Sequence, residues 1–508
     1  MNKFFLLIIS LTVFINLTSC TWMSEDNYSP QTTQTDVLFM MYLDGDNNLN
    51  NAAWENFKQV QKGLMNLPEG ASVTVVALID GISKDASARL YPGLSHIGDI
   101  YGRSFLLRIG AYTQEEFEQD NLVAASTLDY SNTVSWVYNN GRHEVDMSSG
   151  QTLYNFLNWA KSRYSASKKI LVLQNHGGGP YKELSTSLSA QDSERVLCND
   201  ITTGTNNKLT TTDIATAIKS TFGKIDMLVE DVCLQCSIEE IYGLQDVTNY
   251  LIASPNSTLT NSYNYDRIIP YAGTGAKIED IGKKFIDYNY EFCMEKYFDL
   301  NLDKAAEGPC YEYSLSLIDC SKANVLSDIK NHTSALARAM LDVTDTQDKN
   351  NLIASLGKLS TNTDNALYGF YYNATYVYTQ DLGVTAYILA NTSMLDSAAV
   401  KSAAVKKAAL NLYNDLRDNS LIVYGWAGSY KRPLYYSGNA SFGSSGVYEM
   451  LKIQDGRCPW GISITSGSRK NSAGKNAYYK LDNYGSWTSF AKDNVWAELL
   501  SSWKNSGQ

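Results

Sequence analysis

The stretch Val37-Leu-Phe-Met-Met-Tyr-Leu43, followed at once by Asp44-Gly-Asp-Asn-Asn48, decides how the rest of the chain is read. The apolar run does not alternate, so neither face of the strand it forms is left to water. That is the pattern of a parallel strand buried between layers of helix. The polar break marks its carboxyl end, and a helical pattern follows, with Ala53, Phe57, Val60 and Leu64 at three- and four-residue spacings. The same alternation recurs downstream. Val73 to Ile79 is a second buried strand, ended by Asp80-Gly81, and an irregular region with hairpin character runs from Arg89 to about Val145. Thr152 to Tyr164 reads as helix, with Leu153, Phe156, Leu157 and Ala160 on one face. Lys169 to Leu173 is a third core strand, ended by Asn175-His-Gly-Gly-Gly179. Thr210 to Thr221 is helical with Asp213 in its first turn. Met227 to Val229 lies in a fourth strand ending at Asp231-Val-Cys233, and Tyr250 to Ala253 is a fifth.

Strands alternating with helices predict an α/β fold: right-handed crossovers and a mainly parallel sheet flanked by helices. In such sheets ligand sites gather at the carboxyl ends of the strands. Here those ends carry Asp44, Asp46, Asp80, His176, Asp231 and Cys233. The pattern changes beyond about residue 300. Tyr311 to Ile318 is strand-like, Lys322 to Asp342 helical, and Ser393 to Arg417 helical and alanine-rich; the Tyr- and Gly-rich remainder reads as β. Residues 36–300 are therefore expected to form a first domain, and 301–508 a C-terminal α+β extension or smaller domain packed on it. No internal repeat is convincing.

Of the 508 residues 44% are hydrophobic, so a full-sized core is available. The 42 basic and 53 acidic residues give a formal charge of -11, which argues against a nucleic-acid partner and leaves room for a cationic substrate. The 35 tyrosines suit half-buried strands better than a sugar-binding platform. At the start of the chain, Lys3 precedes an apolar segment from Phe4 to Leu17 that is too short for an ordinary membrane span. It ends in Leu17-Thr-Ser-Cys20, which resembles the cleavage box of a bacterial lipoprotein signal. Residues 1–20 are expected to be that signal, with Cys20 the first, lipid-bearing residue of the mature chain and 21–35 a flexible tether. The expected location is the bacterial cell envelope, as an exported, membrane-anchored lipoprotein of the periplasm or cell surface. An ordinary cleaved signal, with Cys20 a bystander, is the alternative.

The four histidines, His96, His143, His176 and His332, lack the spacing of a zinc-binding helix or hairpin. His176 stands apart, after a buried strand and before three glycines, whose amides can approach a substrate and hold a developing oxyanion. Cys233 also sits at a strand end, before a helix whose N-terminus would lower its pKa. The two would form a thiol–imidazole pair. Asp231, two residues earlier on the same side of the strand, is placed to receive a cationic side chain. Cys233-Leu-Gln-Cys236 also spells a CxxC, a redox pair or half a zinc site, without the surroundings of either. A disulfide within it would silence the nucleophile. Cys198, Cys293, Cys310, Cys320 and Cys458 complete the set, and some of these can oxidise in an exported chain. Asp44, Asp46, Asn48 and Glu55 match positions 1, 3, 5 and 12 of a calcium loop, but Leu49 stands where that loop needs glycine. A polar strand end leading into a helix is the preferred reading, with Asp44 and Asp46 as weak calcium candidates.

These residues resemble the clostripain-like cysteine peptidases, peptidase family C11 of the caspase-like clan. The resemblance rests on Leu38-Phe-Met-Met-Tyr-Leu-Asp-Gly-Asp-Asn-Asn-Leu49, Glu144-Val-Asp-Met147, Leu171-Val-Leu-Gln-Asn-His-Gly-Gly-Gly179 and Asp231-Val-Cys-Leu-Gln-Cys-Ser-Ile-Glu239. Tyr313-Ser-Leu-Ser-Leu-Ile-Asp319 and Gly461-Ile-Ser-Ile464 extend it over most of the mature chain. It implies a caspase-like sheet, with His176 as the catalytic histidine, Cys233 as the nucleophile, the amides of Gly177 and Cys233 as oxyanion donors, and Asp231 as the acid of an S1 pocket for Arg or Lys. It also implies self-cleavage between histidine and cysteine, for which the loop 181–208 offers Arg195, preferred as mid-loop, with Lys182 and Lys208. No cofactor is required by this chemistry; calcium is an optional addition. The expected partners are protein or peptide substrates with a basic residue before the cleaved bond. Glu230 departs from the family pattern and needs a partner if buried. Cys236 departs too, and beyond Ser254 no acid follows until Asp266, so a second pocket acid is not apparent. The rival expectation is a catalytically silent surface lipoprotein that uses the same scaffold to bind glycan or protein.

Overall fold

The structure is a computed structural model describing residues 32–83, 102–139, 142–179, 197–198, 200–203, 209–255, 258–299, 314–349, 352, 379–390, 401–418, 421–427, 434–437, 462–465, 468–470, 476–478, 484–486 and 488–502. The opening apolar run forms β1 (Thr33–Gly45), followed by α1 (Asn50–Met65) and β2 (Val73–Gly81). The irregular region resolves into β3 (Phe105–Arg108), a short helix α2 (Gln114–Glu118), β4 (Leu128–Asp129) and a small hairpin, β5 (Tyr138–Asn139) with β6 (Arg142–His143). Helix α3 (Gly150–Arg163) passes directly into β7 (Tyr164–Gln174). Then come α4 (Thr211–Thr221), β8 (Ile225–Asp231), α5 (Ile238–Leu244) and β9 (Thr248–Ala253). Asp213 does close the first turn of α4, in a capping box with Thr210. Helices α6 (Tyr265–Ala272) and α7 (Ile278–Asp299) complete the first half.

One ten-stranded sheet runs β13 (Leu434–Ser437), β12 (Ile422–Ala427), β10 (Ser314–Asp319), then β9-β8-β7-β1-β2-β3-β4. Its middle strands, β9-β8-β7-β1-β2, are all parallel, and the outer pairs are antiparallel. The chain leaves β1 outward to β2, then returns to β7 on the other side of β1. The strand order therefore reverses at β1/β7, the position where open α/β sheets form a ligand crevice.

Both faces of β1 are buried, as the unbroken apolar run requires. Leu38, Met40 and Tyr42 enter one core with Leu153, Phe156 and Leu157 of α3 and Ile214 and Ile218 of α4. Phe39, Met41 and Leu43 enter the other with Trp54, Phe57 and Val60 of α1, Ile268 of α6 and Phe285 of α7. Each such side chain contributes about 1.5–3 kcal/mol on burial. A one-residue slip would exchange the two faces, so this double packing pins the register on which the site depends.

Beyond residue 300 the described residues extend the first sheet. β10 (Ser314–Asp319) pairs with β9; α8 (Ala323–Leu341), β11 (Thr379–Asp381), α9 (Leu382–Ala390) and α10 (Ala403–Asp418) follow. β12 (Ile422–Ala427) and β13 (Leu434–Ser437) then carry the sheet to its edge. β14 (Ser463–Thr465) pairs with β11. The remainder, expected to be β throughout, ends instead in helix α11 (Val495–Ser502). Its Trp496, Leu499 and Leu500 lie at helical spacing and join the first core. Among the described residues no helix is long and apolar enough to cross a membrane. Cys20, Lys182, Arg195 and Lys208 lie outside the described residues.

Candidate active site

β7 and β8 pair in parallel with Gln174 opposite Asp231. His176 and Cys233 each follow two residues later, so the two strands deliver them to the same place on the sheet edge. Gly177 makes the approach close. A β-carbon there would lie 1.9 Å from the Cys233 carbonyl oxygen and 3.0 Å from its nitrogen. Only glycine tolerates that contact, which gives a physical reason for the residue after His176.

His176 is half-buried, and its Nε2 lies 2.6 Å from Asn48 Oδ1. An amide oxygen only accepts, so Nε2 is the protonated nitrogen of the neutral ring and the basic lone pair is on Nδ1. Asn48 follows β1, so this bond spans the β1/β7 crevice. Asn175 ties the same two strand ends together: its Nδ2 donates to the Asp44 carbonyl at 2.8 Å, and its Oδ1 accepts from the His176 N–H. Asn48 matches position 5 of the calcium-loop spacing, for which a polar strand end leading into a helix is the preferred reading; the structure sets this strand-end residue against His176.

Cys233 is half-buried, and its sulfur accepts the Thr258 N–H at 3.3 Å, with Thr258 Oγ1 at 3.8 Å. The sequence placed the thiol at a helix N-terminus. In the structure α5 starts only at Ile238, capped by Ser237, whose Oγ accepts from Glu240 N at 3.1 Å. The helix dipole falls off within its first turn, so the donor near the sulfur is the Thr258 backbone amide instead. Leu234, at φ +65°, turns the chain sharply away from the nucleophile. Cys236 is buried, its N–H donating to Ser254 O at 3.0 Å and its carbonyl accepting from Ser463 N at 2.8 Å. Burial pushes its thiol up, away from reactivity. Among the described residues no disulfide joins Cys233 to Cys236, so the CxxC is not closed here; Cys310 and Cys458 lie outside the described residues. The contact from Ser463 shows that the C-terminal half buttresses the loop bearing the nucleophile.

Asp231 is 5% exposed. Its Oδ2 accepts from Asn56 Nδ2 and from Tyr265 OH, each at 3.0 Å. Burial raises its pKa to about 7, against the pull of these two donors. The segment 258–265 thus touches both Cys233, through Thr258, and Asp231, through Tyr265. Asp266, the next acid, accepts from Lys62 Nζ at 2.8 Å on the outer side of α1. Glu230 faces the opposite layer and is fully buried, its carboxyl against that of Glu240. Thr211 Oγ1 donates to Glu240. Burial and the neighbouring Glu240 raise the pKa of Glu230, while burial raises Glu240 to about 7 against the pull of its bonds to Thr211 and Glu230, as expected for a proton on Glu230 shared with Glu240.

The other histidines serve elsewhere: His143 bonds Asn132, His332 bonds Asp415, and His96 lies outside the described residues. At the tips of β1 and β2 the acids gather instead. Asp46, Asp80, Glu144 and Asp200 each bring a carboxylate oxygen within 4.8 Å of the others. Burial raises Asp46 to about 9 and Glu144 to about 7. Glu55, the last position of the calcium-loop spacing, lines a surface cavity with Lys58 and Lys62 and is not part of this group.

A model of the clostripain family, peptidase family C11, matches residues 41–503. The chain belongs to the clostripain family. Clostripain from Hathewaya histolytica is 25% identical over 255 residues, 48% of this chain and 44% of that one, so the match spans under half of the relative's length. Among solved structures, a secreted C11 cysteine protease from Bacteroides thetaiotaomicron, "iotapain", is similar over 92% of this chain and 99% of its own, at 15% identity and a TM-score of 0.50. A structure of a secreted C11 cysteine protease from the same organism, in complex with an irreversible peptide inhibitor, aligns over 90% and 99% at 15% identity, with a TM-score of 0.49. The clostripain family is one of cysteine peptidases with a caspase-like α/β fold, and the sheet described above is of that kind.

Proposed function

We propose that this clostripain-family chain is an exported cysteine endopeptidase that hydrolyses peptide bonds after Arg or Lys. The observation that carries the reading is the shared register of the β7 and β8 ends, closed by Gly177 against the Cys233 peptide. His176 Nδ1 takes the thiol proton, and the Cys233 sulfur attacks the carbonyl carbon. The C–N bond breaks as the imidazolium returns its proton to the leaving amine. Water, deprotonated by His176, then releases the acyl group and restores the thiol. The amides of Gly177 and Cys233 are assigned to the oxyanion, whose charge they would stabilise in a water-poor crevice. Asp231 is assigned to S1. Both of its donors fall on Oδ2, and its carboxyl resists ionisation in the absence of a cation. A bound guanidinium or ammonium would supply that cation.

Self-cleavage in 181–208, with Arg195 favoured over Lys182 and Lys208, fits the connection between β7 and α4, because the strand pairing would keep both pieces together. Export and lipidation at Cys20 rest on the leader alone. The chemistry calls for no cofactor.

The test compares wild type with Cys233→Ala on peptides bearing Arg, Lys or a neutral residue before the cleaved bond, with terminal sequencing of any chain break. Cys233→Ala should lose at least about 10³-fold in kcat/KM while keeping its Tm. A break after Arg or Lys should appear in wild type only. Full activity of Cys233→Ala would sink the proposal. No turnover of any basic peptide, together with no labelling by a thiol-directed acyl probe, would favour the silent-binder alternative.

A further inference from the structure

The segment 258–265 lies outside the motifs that carry His176 and Cys233, yet it reaches both halves of the site. It starts at the nucleophile, where the half-buried Thr258 gives its backbone N–H to Cys233 Sγ at 3.3 Å. It ends at the acid assigned to S1, where the Tyr265 hydroxyl donates to Asp231 Oδ2 at 3.0 Å. Between them Tyr263 is fully buried, and its hydroxyl donates to the Glu230 carbonyl at 2.9 Å.

The first of these bonds is the unusual one. A backbone N–H inside a protein is normally spent on an oxygen acceptor. The sulfur of a neutral thiol is a weak acceptor. Hydrogen bonds to an ionised acceptor are about twice as strong as neutral ones, so this N–H gains most when Cys233 is a thiolate. Thr258 Oγ1 lies beside the same sulfur at 3.8 Å.

Asn261 fixes where the N–H points. Its backbone is left-handed, at φ +62°, a conformation that Asn tolerates better than most residues. Its Nδ2 donates to the Ala52 carbonyl at 2.8 Å and to Asn56 Oδ1 at 2.9 Å, and its carbonyl accepts from Gln59 Nε2 at 3.1 Å. All of these partners are on α1, which is anchored in the core by Trp54, Phe57 and Val60. The turn therefore rides on a rigid helix. By taking Asn56 Oδ1, Asn261 also turns that amide so that its Nδ2 faces Asp231.

We propose that the Thr258 backbone N–H is a catalytic donor to the Cys233 thiolate, and that Asn261 is the positioning residue that holds it there. The inference rests on Cys233 being the nucleophile. When His176 Nδ1 takes the thiol proton, the N–H stabilises the charge left on sulfur. As the C–S bond forms, that electron pair enters the bond and the N–H loses its charged acceptor. When water releases the acyl group, the C–S pair returns to sulfur and meets the same donor. The N–H thus favours the thiolate both as it is made and as it leaves. Its target is the sulfur, whereas the Gly177 and Cys233 amides are assigned to the oxyanion.

The test reads the thiol directly. Full chains carrying His176→Ala, so that no imidazolium sets the result, are treated with iodoacetamide across pH, and modification of Cys233 is followed by peptide mapping. With Thr258 intact, the apparent pKa of Cys233 should lie below the roughly 8.5 of a free thiol. Thr258→Pro removes the N–H and should raise it by about one unit or more. Thr258→Ala keeps the N–H and should move it less than half as far. Asn261→Gly keeps the left-handed turn but loses both side-chain bonds, and should raise it by a smaller step in the same direction. An apparent pKa at or above about 8.5 with Thr258 intact would overturn the proposal, whether or not the proline variant folds. An unchanged value in a folded Thr258→Pro chain would do the same, and no shift in Asn261→Gly would remove Asn261 from its role. The measurement needs no turnover, so it separates this inference from the peptidase reading. Full activity of Cys233→Ala would end both, whereas cleavage of basic peptides by a chain whose thiol ignores Thr258 would end this one alone.

Discussion

Two neighbouring stretches of one sheet edge are built in opposite ways. At the β7 and β8 tips the functional groups are an imidazole and a thiol, with the uncharged Asn48 against one and Thr258 against the other. At the β1 and β2 tips four carboxylates converge with no positive side chain among them. The first arrangement is half-open and poised for chemistry. The second is closed, and burial there holds the carboxyls towards their protonated form. Catalytic character thus depends less on where along the edge a residue lies than on what faces it. Asp231 sits between the two cases, with two neutral donors on one oxygen and a pKa near 7.

The contrast can be broken most directly at Gly177. Gly177→Ala pushes a β-carbon into the Cys233 carbonyl, so the His176 loop has to move. A fall of about 100-fold or more in kcat/KM is expected, measured on the best basic peptide; unchanged activity would mean that the loop contact does not position the dyad. The intermediate case comes next. Asp231 ionises as pH rises through about 7, so the ratio of kcat/KM for Arg peptides to that for neutral peptides should climb through that range. The ratio cancels any titration of the dyad itself. Asp231→Asn should flatten the profile and lower the ratio about 100-fold at pH 8; a retained pH limb would put the pocket acid elsewhere.

The smallest effect concerns the acid pair on the opposite face. Glu240 is raised to about 7, with Glu230 also raised, so the folded chain keeps protons that the unfolded chain releases near 4.5. Stability from this pair is present at low pH and falls as pH rises from about 4.5 towards 7. Glu230→Gln supplies an amide to Glu240 and should flatten that fall, adding about 1–2 kcal/mol at pH 8, measured by denaturation across pH. A steeper fall in the variant would show that the two carboxyls do not share a proton.

Much of this was legible in the chain. The unbroken apolar runs found β1, β2, β7 and β8, because a strand covered on both faces has no reason to alternate. The strand-end positions of His176 and Cys233 followed from them. What failed did so for definite reasons. The helix after Cys233 was placed too early because nothing local to Leu234 or Gln235 announces a φ of +65°. The helix Val495–Ser502 was lost among Tyr- and Gly-rich neighbours, its apolar spacing too short to stand out.

The sequence by itself determined the layered α/β plan, the family, and which residues end the core strands, since these depend on periodicity and short motifs. Only the tertiary structure decided the partners: Asn48 for His176, Thr258 for Cys233, Tyr265 and Asn56 for Asp231, Glu240 for Glu230, and the convergence of Asp46, Asp80, Glu144 and Asp200. Each of these contacts joins residues from different elements, and a linear chain does not encode such a distance until the sheet register and both cores are in place.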